Sequence, residues 1–122
     1  MEKVEAIIRP EALQGVQDAL DQLGVSGLTV TEVVGCGRQK GYTEQYRGAR
    51  VNISLLRKVK VEAVVPSSIV EMAADAIVTA ARTGEEGDGR VFISPVSQAI
   101  RIRTGESGEE SVQHEAPVGW GH

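Results

Sequence analysis

Aromatic residues are scarce: Tyr42, Tyr46, Phe92 and Trp120 are the full set in 122 residues. The core is therefore expected to be aliphatic, and a nucleic-acid site built on stacked aromatic rings is not expected. Cysteine is scarcer still. Cys36 stands alone, so no internal disulfide forms, and no Cys/His group has zinc-site spacing. Basic residues do not predominate: 13 Lys and Arg against 17 Asp and Glu leave a net charge of −4. Such a chain is poorly suited to the phosphate backbone of DNA or RNA, and no nucleic acid partner is expected. No apolar run approaches the ~18 residues that a membrane helix needs. The opening Met1-Glu2-Lys3-Val4-Glu5 lacks the basic start and apolar stretch of a signal peptide, so a cytoplasmic protein is expected.

What is present reads as one small soluble domain, with 41% hydrophobic and 25% charged residues. Residues 3–9 (KVEAIIR) are β-branched and predict a strand. Pro10 suits the start of a helix, and Leu13, Val16, Leu20 and Leu23 recur at helical spacing up to Gly24, a C-terminal cap. Residues 28–34 predict a second strand. A glycine-rich, aperiodic stretch follows, read as a long loop over about 37–56. Residues 58–65 alternate as a third strand up to Pro66. Ser68 and Glu71 have capping-box spacing, and Ile69, Ala73, Ala76, Ile77 and Ala80 form a second helical face. Residues 91–94 predict a fourth strand and 99–103 a short fifth. After Thr104 the chain has acids but no Lys or Arg. The division expected is a single domain over 1–109 and a flexible tail over 110–122. The order, strand–helix–strand twice, is an α+β, ferredoxin-like (split βαβ) arrangement. Its helices cover one sheet face, and other copies of the chain are expected on the second.

Three segments are candidates for an anion. Gly35-Cys36-Gly37-Arg38-Gln39-Lys40-Gly41 places Arg and Lys among glycines after a strand, but matches neither the dinucleotide fingerprint nor a P-loop. Residues 83–90 (TGEEGDGR) follow a helix; their glycines suit an anion nest and Arg90 adds a donor fork. Arg101-Ile102-Arg103 would set two guanidinium groups on one strand face, calling for an anion or for nearby carboxylates between them. Taken together these favour a polyanion such as a nucleotide triphosphate. No nucleophile is paired with a base, and both histidines, His114 and His122, lie in the tail. A binding protein is expected, not an enzyme. The stretch from Cys36 to Lys58 holds six basic residues against one acid, Glu44, which suits a partner-probing loop.

KVEAIIRP, TVTEVVGCGRQKG, TEQYRGA, KVKVEAVVP, AARTGEEGDGRVFISPV and IRIRTGE together resemble the PII nitrogen-regulatory signalling proteins, from Lys3 to about Glu109. The resemblance implies a homotrimer with nucleotide sites in the clefts between subunits. It implies ATP or ADP as effectors, Mg2+ with ATP, and 2-oxoglutarate as the second ligand. The long loop would dock on a target enzyme, regulator or membrane transporter. By position, Gly87, Asp88, Gly89 and Arg90 match the phosphate loop, where Lys is commoner than Arg90. Arg101 and Arg103 match arginines that reach the phosphates from a neighbouring subunit. Thr29, Glu62 and Val64 match the adenine and ribose wall, and Gly37, Arg38 and Gln39 the base of the long loop. Gln39 matches the magnesium ligand. Gln39, Lys40, Gly41 and Lys58 would hold 2-oxoglutarate or another anion. The family's uridylylated tyrosine falls at Val51, so covalent switching there is not expected. With Asn52-Ile53-Ser54 and Arg57 altered beside it, a second reading is a PII-like sensor of adenine nucleotide and another small anion such as bicarbonate. The tail through Trp120 is longer than typical.

Overall fold

A computed structural model describes residues 1–25, 27–38 and 53–112, the side chains of 37, 38, 53 and 54 excepted. Strand β1 spans Glu2–Ile8, helix α1 Leu13–Gln22, β2 Thr29–Arg38, β3 Ile53–Val65, helix α2 Val70–Ala81 and β4 Gly89–Pro95. The sheet order is β2-β3-β1-β4, every neighbouring pair antiparallel. This is the ferredoxin-like order that the repeated strand–helix–strand pattern predicts.

Side-chain alternation decides which face is buried. Val4, Ala6 and Ile8 of β1 and Val59, Val61, Ala63 and Val65 of β3 are buried beneath the helices. Val16 and Leu20 of α1, Val25 after it, and Val70, Ala73, Ile77 and Ala81 of α2 complete the core of the described residues. It is wholly aliphatic, as the shortage of aromatics requires; Phe92 is 49% exposed. A Cβ at Gly15 would sit 3.9 Å from Ala80, so small residues let α1 and α2 approach closely. Gly24 ends α1 at φ +83°, its N–H donating to the Asp21 carbonyl, the left-handed cap expected.

Four expectations are corrected. The segment read as a loop from about 37 starts and ends as strand. β2 runs on through Gly35–Arg38 because that stretch pairs with residues 53–56 of β3, and cross-strand hydrogen bonding outweighs the weak strand preference of glycine. The interval between the strands, 39–52, lies outside the described residues. The Ser68–Glu71 capping box does not form: Ser67–Ile69 turn as a 3-10 helix, and α2 starts behind Ile69 with no side-chain cap. The fifth strand is reduced to one bridge, Ile100 with Ser107. Residues 102–104 turn instead, so Arg101 and Arg103 do not share a strand face. Glu109–Val112 form a 3-10 turn; the rest of the expected tail, including Trp120, lies outside the described residues.

Candidate functional site

Antiparallel register sets Thr29 beside Glu62, and Val64 beside Lys3. These residues share the sheet face away from the helices, and they line a cleft of about 880 Å³. Val25, Pro66 and Ile69 give it apolar wall, and Arg101 enters from the C-terminal segment. Lys3 bridges Glu5 and Glu62, both at 3.5 Å, so the Glu62 carboxylate has a counter-charge within the chain. Arg101 is largely covered and is directed by its own segment. It donates to Glu106 Oε1 at 2.7 Å and to the Glu110 carbonyl at 3.0 Å. The Glu106 carboxylate thus supplies a counter-charge to Arg101. Arg103 is exposed in the adjoining turn.

A second cluster lies at the other end of the strands. The loop between α2 and β4 passes through Gly84, Gly87 and Gly89 at φ +92°, +95° and +107°. These left-handed conformations explain the glycines. A Cβ on Gly89 would collide with the Ile7 carbonyl oxygen, so glycine is required where β4 meets β1. The Asp88 carboxylate accepts from the Thr83 hydroxyl, from the Thr83 N–H at 2.8 Å and from the Gly84 N–H at 2.9 Å. Arg9 Nε donates to it at 3.2 Å. The Thr83 hydroxyl foremost, with these N–H donors, holds the Asp88 carboxyl far below the usual carboxylate range. Arg9 Nη2 also donates to the Glu86 carbonyl at 2.7 Å, and Lys58 Nζ to the Gly87 carbonyl at 2.6 Å. Arg90 is exposed opposite Ile7.

The two clusters are not one site within the chain. Lys3 to Ile8 is five residues of β1, and Ile8 pairs with both Val59 and Gly89. At ~3.4 Å per residue the glycine-rich loop lies about 17 Å along the strands from the Val64 end of the cleft. Thr29, Glu62, Val64 and Arg101 are thus brought together, as are Gly87, Asp88, Gly89, Arg90 and Lys58. Gly37 and Arg38 end β2, opposite Ser54 and Ile53. Gln39, Lys40, Gly41 and Val51 lie outside the described residues. Among the described residues no group of His, Cys, Asp or Glu gathers as a metal site. Nor is any described helix long and apolar enough to cross a membrane. Reading the sequence missed Lys3, Arg9 and Glu106, and gave Thr83 only as the first residue of the 83–90 segment, without its role on Asp88. Glu106 and Thr83 each lie five residues from their partners and carried a local signal; Lys3 and Arg9 are delivered by strand pairing.

Comparison with known proteins agrees with the motif order. The family described as "Nitrogen regulatory protein P-II" matches residues 1–106. The chain is similar to the nitrogen regulatory protein P-II of Cereibacter sphaeroides, 59% identical over 92% of this chain and 100% of that one. It is similar at the same coverage to those of Nostoc punctiforme, at 58%, and Synechocystis, at 54%. With the fold, the glycine-rich loop and the Arg101 cleft in the expected order, the chain belongs to the nitrogen regulatory P-II family.

Proposed function

We propose that this regulator senses ATP or ADP at a site completed between neighbouring copies, with 2-oxoglutarate as second effector, and acts on a target protein through the 39–52 segment without catalysis. The separation of the two half-sites carries this reading. A cleft of about 880 Å³ is in the range of small-molecule sites, and it already offers apolar wall, hydroxyl, carboxylate and guanidinium. Val64 would face an adenine, Thr29 and Glu62 would bond base or ribose, and the Arg101 fork would take phosphate. The glycine-rich loop of the next copy would meet the phosphates from the other side. Arg38 and Arg103 would add cationic donors, and Gln39 an oxygen for a magnesium ion carried by the phosphates. Lys58, with Gln39, Lys40 and Gly41, would take the carboxylate of 2-oxoglutarate.

Three copies are proposed, covering apolar surface that one chain leaves exposed. Ile102 is 99% exposed and Ile100 60%, beside the cleft. Phe92 and Ile93 lie half exposed on the β4 edge. The reading with bicarbonate or another small anion rests on the departures around Lys58, with Arg57 before it and Val51 in the tyrosine position.

Titration calorimetry with ATP and magnesium, with and without 2-oxoglutarate and with bicarbonate in parallel, tests both readings. Binding of 2-oxoglutarate only when ATP is present supports the first, because coupling is reciprocal. Nucleotide binding with coupling to bicarbonate alone supports the second. Arg101→Ala is expected to lower ATP affinity at least about thirtyfold. Unchanged affinity in that variant removes the cleft from the nucleotide site.

A further inference from the structure

Arg9 is given no role by the nucleotide site as proposed, yet the loop of residues 82–90 is built against it. Its placement is fixed twice. Ile8 before it pairs with Gly89 in β4 and Val59 in β3, so the sheet sets Arg9 beneath the loop. Pro10 after it restricts its backbone to the extended region, and Arg9 has φ −67° and ψ 145°. From there one guanidinium group spans two loop groups, the Asp88 carboxylate at 3.2 Å and the Glu86 carbonyl at 2.7 Å. Lys58 holds the next carbonyl, that of Gly87, at 2.6 Å. Asp88 in turn gathers the start of the loop through Thr83 and Gly84.

The consequence follows from peptide geometry. In a planar trans peptide the C=O and N–H point in opposite directions. The Glu86 carbonyl faces Arg9, so the Gly87 N–H faces away from it. The Gly87 carbonyl faces Lys58, so the Asp88 N–H also faces away. Two successive amides are thus turned to the side of the loop opposite the cations, which is how a backbone presents an anion nest. Left-handed glycines at 84, 87 and 89 allow the turn, and the inward cations select this orientation of it.

We infer that Arg9 is a positioning residue of the phosphate loop: it holds the Glu86 carbonyl and the Asp88 carboxylate, and so keeps the Gly87 and Asp88 amides presented to the terminal phosphates of a nucleotide. The inference rests on the proposed nucleotide reading. Arg9 acts through the loop, and its loss is felt by ligands that reach the loop and not by those that occupy only the Thr29–Val64 wall.

The test is calorimetric titration of the intact protein, Arg9→Ala and Thr83→Val with Mg-ATP, ADP and AMP, alongside amide hydrogen exchange over 83–90. Arg9→Ala is expected to weaken ATP about tenfold, to leave AMP within about twofold, and to speed exchange at 83–90. Thr83→Val loosens Asp88 without touching Arg9, and is expected to weaken ATP in the same direction by less. ATP affinity unchanged in Arg9→Ala overturns the inference while the nucleotide reading stands. An ATP loss in Arg9→Ala that Thr83→Val fails to share in any degree also overturns it, since Arg9 would then meet the ligand directly. A wild-type protein that binds no nucleotide removes the reading itself and the inference with it. If Arg9→Ala does not fold, Thr83→Val with the exchange measurement decides alone: unaltered ATP affinity with faster exchange overturns the inference.

Discussion

Lys58 holds the Gly87 carbonyl at 2.6 Å, so it supports the glycine-rich loop as well as the 2-oxoglutarate contact proposed for it. Lys58→Ala is therefore expected to remove the 2-oxoglutarate effect and also to lower ATP affinity a few-fold, about the worth of one charge-assisted hydrogen bond. Calorimetry with ATP alone separates the two effects. Asp88 gives a pH signature. Its carboxyl is held far below the usual range by the Thr83 hydroxyl and the surrounding N–H donors. A depressed folded pKa contributes stability above the unfolded value, about 3.9, and loses it as the pH falls toward the folded one. The difference in thermal midpoint between the protein and Asp88→Asn is thus expected to be constant above about pH 5 and to shrink below about pH 3.9. A difference that grows on acidification contradicts the carboxylate clasp. Neither role can be read locally. Lys58 is 29 residues from Gly87 and Arg9 is 79 from Asp88, and only the sheet brings them together.

At the scale of elements, the joint between β1 and β4 is the sensitive point. Gly89 stands at φ +107° against the Ile7 carbonyl, where any Cβ collides with backbone. Gly89→Ala is expected to cost more than the ~1 kcal/mol of an unfavourable φ alone, because β4 must shift to admit the methyl group. Denaturant unfolding measures the cost, and a change under ~1 kcal/mol would show that the edge strand yields easily. The helices, by contrast, follow from spacing. Val16 and Leu20 recur on one face and are fully buried; Ala73 and Ile77 do the same. Where reading by spacing failed, pairing was the reason. Gly35–Arg38 has no strand pattern of its own and is strand because β3 lies beside it. The 99–103 segment alternates but, among the described residues, pairs only through the single Ile100–Ser107 bridge. Its backbone instead closes a turn, the Arg101 N–H donating to the Glu106 carbonyl at 2.8 Å.

At the scale of the whole molecule, one chain carries two clusters, the glycine-rich loop lying about 10 Å along the strands from the Thr29–Glu62 pair and about 17 Å from the Val64 end of the cleft. If neighbouring copies complete each other, Arg101→Ala and Arg90→Ala each damage a different half of every site. Mixed assemblies of the two variants are then expected to regain some sites of wild-type ATP affinity that neither variant has alone. Calorimetric stoichiometry, with the assembly mass from light scattering, is the check. No regained sites would place both arginines in one half. Aliphatic residues at periods of 2 and 3.6, ended by Gly24 and Pro66, determined the strands, the helices, their order and the aliphatic core, because such patterns act within a few residues. The sequence by itself also marked the loop glycines and the arginines as residues for an anion. Only the tertiary structure decided how they group. Strand register sets Thr29 against Glu62, puts Lys58 and Arg9 under the loop, and holds the loop away from the Arg101 cleft. Register is fixed by the burial of a whole sheet face, and no local stretch of sequence contains that information.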